Sequence, residues 1–288
     1  MSDRSSIRSA VGTHDLVWIE GADGVSFADG QLSQDVAAMR PGEVRRSLLL
    51  EPKGKLRAIL WVLRGEDRVG LATWAGTGGG VAADLERFRF RVDAAVTLAE
   101  GVGDSVWGRS EAEAVAGGWS GDPASLRVDL PPGHAPDGLL VGTPLPGGPD
   151  LTVAEIALRR VLAGEPVFGV DVDEDTIPQE TGLVSEAVSF TKGCYLGQEL
   201  VARIDTRGHV NRTLRRVTIV GEVPPGGAAV VAGEATVGTL GTVAAVAEGA
   251  QALALVRREA MPGDRVTVRW SAGEAAAVIG EITRPPVT

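Results

Sequence analysis

The sequence predicts an α+β fold that is built on antiparallel sheets and ends in a small β-barrel. In the longer N-terminal part of the chain, short β-branched and aromatic runs alternate with amphipathic helical stretches. From Val210 onward only short strand-like runs remain, and Gly and Pro separate them. The 288 residues, of which 44% are hydrophobic, provide enough chain for several packed units with a sizeable core.

The N-terminal elements begin with a strand at Leu16–Ile19, which is rich in β-branched and aromatic residues. A helix should cover residues 25–39, because apolar residues recur on one face until a Pro-Gly pair ends the pattern. Ser47–Glu51 and Leu56–Leu63 predict a hairpin around a Pro-Lys-Gly-Lys turn.

The middle of the chain continues the alternation of strands and helices. A strand at Arg68–Thr73 precedes a glycine-rich loop and a helix at Val81–Phe90; no Gly-Lys-Ser/Thr follows, so the loop is not a phosphate loop. Leu151–Leu162 has the spacing of an amphipathic helix that stops at Gly164. The other strands predicted in this part are Val92–Ala99, Asp104–Gly108, Leu126–Leu130 and Leu139–Val141.

The C-terminal part has the regular strand spacing of a small antiparallel barrel. Its predicted strands are Arg216–Val220, Ala228–Ala232, Thr236–Leu240, Thr242–Val246, Ala250–Arg257, Arg265–Trp270 and Ala276–Ile282.

Composition and charge exclude several classes of protein. The net charge of −10 opposes non-specific binding to nucleic acid. The longest apolar run, Ala58–Leu63, is too short to span a bilayer, and Met1–Ala10 lacks the apolar core of a signal peptide, so we expect a cytoplasmic protein. One cysteine cannot form an internal disulfide, and three scattered histidines show no metal-ligand spacing.

The segment Lys192–Glu199, Lys-Gly-Cys-Tyr-Leu-Gly-Gln-Glu, carries the only cysteine and the only tyrosine. Glycines on both sides let the thiol of Cys194 stand clear of bulky neighbours. Lys192 and a helix that is expected to begin just after the loop would both favour a thiolate. The alternative is that Cys194 is a small buried apolar residue.

This octapeptide resembles the signature of the YgfZ-type proteins, folate-binding relatives of the glycine-cleavage T-protein (aminomethyltransferase) that serve iron–sulfur cluster assembly. A second segment, Gly30–Val36, resembles an element near the start of the same family. The resemblance implies a T-protein-like ring of several domains. It implies a discontinuous folate-binding domain, 1–50 with 110–208, a second α+β domain, 51–109, and a C-terminal barrel, 209–288.

The resemblance also implies tetrahydrofolate as the cofactor and iron–sulfur client or assembly proteins as partners. It makes Cys194 the reactive thiol, assisted by Lys192, and makes other residues contacts of the folate. Those predicted contacts are Gln31, Asp35, Arg160, Glu180, Arg203 and Arg207.

Each predicted contact has a plainer alternative. Gln31 and Asp35 have the alternative of a solvated helix face, and Arg160 is placed to interact with a helix dipole as a C-terminal cation. Glu180 has the alternative of an ordinary surface carboxylate. The arginines after Cys194 form either an anion site or a set of surface ion pairs, which contribute little.

One departure from the T-protein pattern bears on activity. The transferases carry Gly-Gly-x-x-Asp-Asp after the equivalent of the Gly54 turn, and here the aligned residues include Ala58 and no carboxylate. Without a group to activate folate, one-carbon transfer has no evident base. The sequence therefore favours a non-catalytic folate-binding assembly protein over the alternative, an aminomethyl or one-carbon transferase or demethylase.

Overall fold

The computed structural model describes residues 8–108, 117–131, 134–143 and 150–282. These residues form two compact units. Unit 1 takes its described residues from 1–151 and 183–202, and unit 2 takes them from 152–182 and 203–286. The three-domain division implied by the family resemblance stays a prediction beside this two-unit division.

Unit 1 is built around an eight-stranded antiparallel sheet in the order β2-β3-β4-β1-β5-β8-β7-β6. Its strands are β1 (Arg8–Glu20), β2 (Val44–Leu50), β3 (Leu56–Arg64), β4 (Arg68–Trp74), β5 (Ala95–Trp107), β6 (Gly118–Asp122), β7 (Ser125–Asp129) and β8 (Gly138–Val141). An isolated bridge between Glu43 and Gly118 joins the two ends of this order, so the sheet curls back on itself.

Both faces of the sheet are buried at residues 16–19 of β1, which explains the continuous apolar run there. Val17 and Ile19 point into a core that they share with helices α1 (Gly24–Gln31) and α2 (Gly78–Phe88). Leu16 and Trp18 point into a second core inside the curl. Successive side chains of a strand face opposite ways, so neighbouring residues serve different cores.

The structure corrects two predictions in unit 1. The helix expected over 25–39 ends at Gln31, because one carboxylate oxygen of Asp29 accepts the backbone N–H groups of Val36, at 2.8 Å, and Ala37, at 3.1 Å. The two strands expected at 92–99 and 104–108 form the single strand β5, whose pairing with β1 shifts register midway. Such a shift is typical of a bulge at glycine.

Unit 2 contains the small antiparallel barrel that the sequence predicts, and the barrel is closed in the order β10-β11-β12-β9-β14-β13. It has six strands and not the seven predicted, because the strands expected at 236–240 and 242–246 form one continuous strand. Its strands are β9 (Arg212–Val220), β10 (Ala229–Ala232), β11 (Ala235–Val246), β12 (Gly249–Arg257), β13 (Arg265–Trp270) and β14 (Gly273–Gly280). Inward residues on β12 are the small Ala250, Ala252 and Ala254, which fit the narrow interior.

Three helices complete the description. Helix α3 (Val153–Ala163) belongs to unit 2, starts with a capping box between Thr152 and Glu155, and is followed in that unit by a 3-10 helix at Pro178–Thr181. Helix α4 (Val184–Ala187) belongs to unit 1, and α5 (Gln198–Arg207) begins in unit 1 and continues into unit 2. The α+β class with antiparallel sheets and a C-terminal barrel is therefore confirmed.

Candidate functional site

Cys194 lies in a loop of unit 1 with its side chain exposed to solvent. Gly193 beside it is also exposed, and a Cβ there would meet no atom within 4 Å. The loop precedes α5, which begins at Gln198, after a turn at residues 196–197. The exposed thiol agrees with the expectation drawn from the flanking glycines; its reactivity stays a prediction.

Lys192 points the other way, into unit 1. Its side chain is 1% exposed, and its ammonium lies 2.9 Å from Oδ1 of Asp29. The same ammonium donates to the backbone oxygens of Asp29, at 2.6 Å, Leu32, at 3.0 Å, and Gln34, at 2.8 Å. An ammonium has three N–H donors, so these four oxygens take all of them.

Two further contacts of the Cys194 loop lie on its C-terminal side. The backbone N–H of Leu196 donates to the carbonyl of Gly30 at 3.0 Å. Gly197 has φ +81°, and a Cβ there would lie 2.6 Å from the carbonyl oxygen of Glu51 and 3.0 Å from the Cα of Gly54. Only glycine permits this close approach of the loop to the β2–β3 turn.

Tyr195 is the inward neighbour of Cys194. Its ring centre lies 5.4 Å from the Lys192 ammonium, within the range of a cation–π interaction. Burial raises the pKa of Tyr195 to about 12, so the phenol is neutral at physiological pH. The loop therefore keeps the side chains of Lys192 and Tyr195 inside and leaves Gly193 and Cys194 between them exposed.

Gln31 is the last residue of α1, and the residues on either side of it, Gly30 and Leu32, use their carbonyls to hold the loop. Its side-chain oxygen is buried and has no hydrogen-bond partner in the described part of the chain. A buried acceptor without a donor is costly, and it is suited to a ligand that supplies an N–H. Asp35 is half-buried and accepts the backbone N–H of Ala38 at 2.9 Å, as a turn residue does.

The sequence interpretation missed two residues of the Gly30–Val36 segment, Ser33 and Gln34, which bind the backbone shortly before the Cys194 loop. Ser33 donates to the carbonyl of Ala187 at 2.7 Å, and its own carbonyl accepts the N–H of Ser189. Gln34 donates to the carbonyls of Arg46 and Glu186, at 3.1 and 3.2 Å. Ser33 and Gln34 lie inside the Gly30–Val36 match, but no periodic pattern distinguishes them from the partly exposed Gln31 and Asp35.

Unit 2 places Arg160 in an ion pair. Its guanidinium lies 2.8 Å from Oδ2 of Asp171, with the two side chains 10% and 0% exposed. It also lies 3.3 Å from the carbonyl of Glu165 and 3.4 Å from the hydroxyl of Thr242. These contacts make Arg160 a structural residue of unit 2, and its predicted role toward folate stays a prediction.

Glu180 is likewise paired within unit 2. Its two carboxylate oxygens accept from Nε of Arg212, at 2.8 Å, and from Nη2, at 2.9 Å, and one of them also accepts the N–H of Ile177. The hydrogen bond to Glu180 raises the pKa of Arg212. This bidentate pair leaves Glu180 fewer free lone pairs for a pterin than the sequence interpretation assumed.

The predicted site residues thus fall into separate groups. Unit 1 brings together Cys194, Lys192 and Gln31, whereas Arg160 and Glu180 take part in two different ion pairs of unit 2. Arg203 is exposed on α5, and the side chain of Arg207 lies outside the described set. No sequence pattern indicates that Asp29 belongs with the first group, because Asp29 lies 163 residues from Lys192.

The described residues form neither a cluster of metal ligands nor a helix that could cross a membrane. No cluster of three or more His, Cys, Asp or Glu side chains in ranges 8–108, 117–131, 134–143 and 150–282 has the geometry of a metal site. Among the same residues, no helix combines the length and hydropathy that a membrane crossing requires.

Comparison with known proteins agrees with this architecture. Residues 212–282 match the family model described as the CAF17 C-terminal beta-barrel domain. The tRNA-modifying protein YgfZ of Sodalis glossinidius is 27% identical over 69% of this chain and 67% of its own. The mouse mitochondrial iron–sulfur cluster assembly factor IBA57 is 38% identical over 35% of this chain and 29% of its own.

A solved structure shares nearly the whole fold. The glycine cleavage system aminomethyltransferase T of Bartonella henselae superimposes with a TM-score of 0.82 over 97% of this chain and 86% of that chain, at 19% identity. The barrel model, the sequence relatives and this fold together confirm the resemblance of the chain to the YgfZ-type proteins with their T-protein-like fold.

Proposed function

We propose that this protein assists the assembly or repair of [4Fe–4S] clusters in client enzymes, with Cys194 as its reactive thiol and tetrahydrofolate as its ligand. The observation that carries the proposal is the loop geometry, in which a single exposed thiol is held outward by buried contacts on both sides. A relative named as an iron–sulfur cluster assembly factor supports the same reading.

The cluster is cargo in this proposal. A [4Fe–4S] cluster normally takes four cysteine ligands, and the chain has one cysteine. The thiol must therefore share a cluster or its iron with ligands of a partner protein, and an exposed thiol is placed to do so.

Another relative is named tRNA-modifying protein, which points to a process that involves RNA. A net charge of −10 opposes direct binding to a polyanion. We therefore propose that any effect on tRNA passes through a client enzyme. The cytoplasmic location expected from the sequence stays a prediction.

The fit to tetrahydrofolate can be tested on the residues themselves. Gln31 offers a buried acceptor that an N–H of the pterin would satisfy, whereas Arg160 and Glu180 already hold intramolecular partners. Bound tetrahydrofolate would supply a one-carbon carrier and a flat ring. We propose Gln31 as the ring contact, and the folate contacts predicted for Asp35, Arg203 and Arg207 stay predictions.

The transferase alternative is favoured by the fold alone. Against it, Ala58 is fully buried in the apolar core of β3, at the aligned position where the transferases carry a carboxylate. We therefore expect no turnover when the purified protein is assayed for aminomethyl transfer with tetrahydrofolate and an amine donor. Release of methylene-tetrahydrofolate at an enzymatic rate would instead establish the transferase.

The cluster role is tested in cells that lack the native copy. Cys194→Ala should lower the activity of [4Fe–4S] enzymes under oxidative stress, whereas Val153→Ala, at an 84% exposed position in unit 2, should support wild-type activity. Full support by Cys194→Ala would overturn the proposed role of the thiol.

The folate role is tested by calorimetry on Gln31→Leu. Loss of a neutral hydrogen bond costs about 0.5–1.5 kcal/mol, which is roughly a three- to tenfold loss of affinity for tetrahydrofolate. The same change should stabilise the ligand-free protein slightly, because it removes a buried acceptor without a partner. Unchanged affinity in this variant would place the ring elsewhere.

A further inference from the structure

The C-terminal end of α1 is completed by a side chain from far along the chain. The last carbonyls of a helix have no partner within the helix, and here the carbonyls of Asp29 and Leu32 accept from the Lys192 ammonium, at 2.6 and 3.0 Å. A cation at this end also interacts favourably with the helix dipole. Lys192 therefore acts as a cap that α1 does not contain itself.

Asp29 supplies the opposite charge. Oδ1 of its carboxylate accepts from Lys192, at 2.9 Å, and from the backbone N–H groups of Val36 and Ala37. A lysine side chain that is 1% exposed needs such a partner, because a buried charge without one is strongly destabilising. One carboxylate oxygen thus fixes both the turn after α1 and the start of the Cys194 loop.

The two ends of the exposed part of the loop are tied to the same helix end. Lys192 reaches the carbonyls around Asp29, and the N–H of Leu196 donates to the carbonyl of Gly30 at 3.0 Å. Between these anchors the Tyr195 ring turns inward over the ammonium. The short span that remains leaves Cys194 little freedom to turn its thiol into the protein.

We infer that the Asp29–Lys192 ion pair is a positioning device that presents the Cys194 thiol to a partner in one orientation. The inference rests on the proposed function, because it takes Cys194 to be the reactive group. It assigns Lys192 to positioning and not to activation of the thiol, since all of its N–H donors are used on other oxygens. It adds Asp29 to the site.

The experiment uses a nitroxide spin label on Cys194 in the full-length protein, where it is the only thiol. In the wild type we expect the spectrum of an immobilised label. In Lys192→Met the label should become mobile, and the amide of Leu196 should exchange with solvent at least tenfold faster, while amides of β3 and β4 exchange at wild-type rates. A role limited to overall stability would change all these amides together.

Asp29→Asn is the second variant, and it guards against the failure of Lys192→Met to fold. It keeps an oxygen for Val36 and removes the charge that Lys192 needs, so it should mobilise the label to a smaller extent. Lys53→Met is the matched control, because it removes an exposed ammonium from the neighbouring β2–β3 turn; the label should stay immobilised.

An immobilised label in both folded Asp29→Asn and folded Lys192→Met would overturn the positioning role. Cell assays separate this result from the proposed function. If Cys194→Ala impairs the [4Fe–4S] enzymes while Lys192→Met supports them fully, the thiol matters and its positioning by Lys192 does not. If Cys194→Ala has no effect, the proposed function fails, and the label still reports whether the ion pair fixes the loop.

Discussion

Two buried ion pairs of this protein have nearly the same geometry and different consequences. In unit 1 the Lys192–Asp29 distance is 2.9 Å, and in unit 2 the Arg160–Asp171 distance is 2.8 Å. Both cations also donate to a backbone carbonyl, Lys192 to that of Asp29 at 2.6 Å and Arg160 to that of Glu165 at 3.3 Å. The first pair lies at the start of a loop with an exposed thiol, whereas the second joins α3 to other segments of unit 2.

The Asp171 carboxylate shows what the second pair does. Besides Arg160 on α3, it accepts the backbone N–H groups of Val167 and Thr242, at 2.8 and 2.7 Å. It therefore ties α3 and the following turn to β11. A cation in a segment that resembles a family motif is therefore not a ligand contact on that ground alone. Its role depends on the groups that already hydrogen-bond to it within the protein.

The largest effect that we predict concerns Asp171→Ala. Removal of one partner from a buried pair leaves the Arg160 charge uncompensated, so the free energy of unfolding should fall by about 3–5 kcal/mol. Urea denaturation of the full chain measures it. Glu234→Ala, at an exposed position of the same unit, should change stability by less than about 0.5 kcal/mol. A loss below about 1 kcal/mol in Asp171→Ala would make the two pairs unequal in energy as well as in role.

The next effect concerns pH and the loop of unit 1. Burial raises the pKa of Tyr195 to about 12, against about 10 in an unfolded chain, so between these values the folded state keeps a proton that the unfolded state has lost. Stability should therefore fall as pH rises from 10 to 12, by at most about 2.5 kcal/mol in total.

This effect is specific to one group, because the chain has a single tyrosine. Absorbance of the phenolate near 295 nm should rise with a midpoint well above that of the urea-unfolded protein. In Tyr195→Phe, the extra loss of stability between pH 10 and 12 should disappear. A midpoint near 10 in the folded protein would mean that Tyr195 is open to water and does not cover Lys192.

A smaller effect is expected for the more accessible pair of unit 2. In Glu180→Gln, Arg212 loses a charged bidentate partner, but its side chain is 36% exposed and water replaces part of the interaction. We expect a loss of about 1–2 kcal/mol in urea denaturation. If stability were unchanged and tetrahydrofolate affinity fell instead, Glu180 would be a ligand contact, as the sequence interpretation had it.

The smallest effect is predicted for the thiol itself. Cys194 is exposed and belongs to no cluster of apolar side chains among the described residues, so Cys194→Ala should change the free energy of unfolding by less than about 0.5 kcal/mol. Thermal unfolding compared with that of the wild type is sufficient. A loss above about 1 kcal/mol would show that the sulfur packs against the protein, and the contrast between the two pairs would weaken.

Sequence patterns were sufficient to predict most strands, because the alternation of side chains and the glycine-rich breaks are local features. A glycine inside a strand led to a wrong prediction. Gly241 was interpreted as a break between two strands, but β11 runs through it, and a Cβ there would lie 2.5 Å from a carboxylate oxygen of Asp171. The missing side chain of this glycine allows a segment that is distant in sequence to approach closely, and no local pattern reveals that contact.

The candidate site, like the strands, was predictable where the signal is local in sequence. The glycines around Cys194 indicated an exposed thiol, which the structure has. Lys192 was assigned to the thiol, because the sequence shows that the two residues are neighbours along the chain and does not show what the ammonium contacts in space. Asp29 and the carbonyls of α1 are distant in sequence, so the capping role of Lys192 could not be predicted from spacing.

The position of the thiol loop in the chain has a consequence for folding. Every strand of the unit 1 sheet precedes residue 151, and the segment that carries Cys194 rejoins the unit only at 183–202. Closing the 163-residue separation between Asp29 and Lys192 is a late, entropically unfavourable step, and the N-terminal part is synthesised first. We expect α1 to keep its end carbonyls hydrated until then. The thiol is thus presented only by a unit that has already folded.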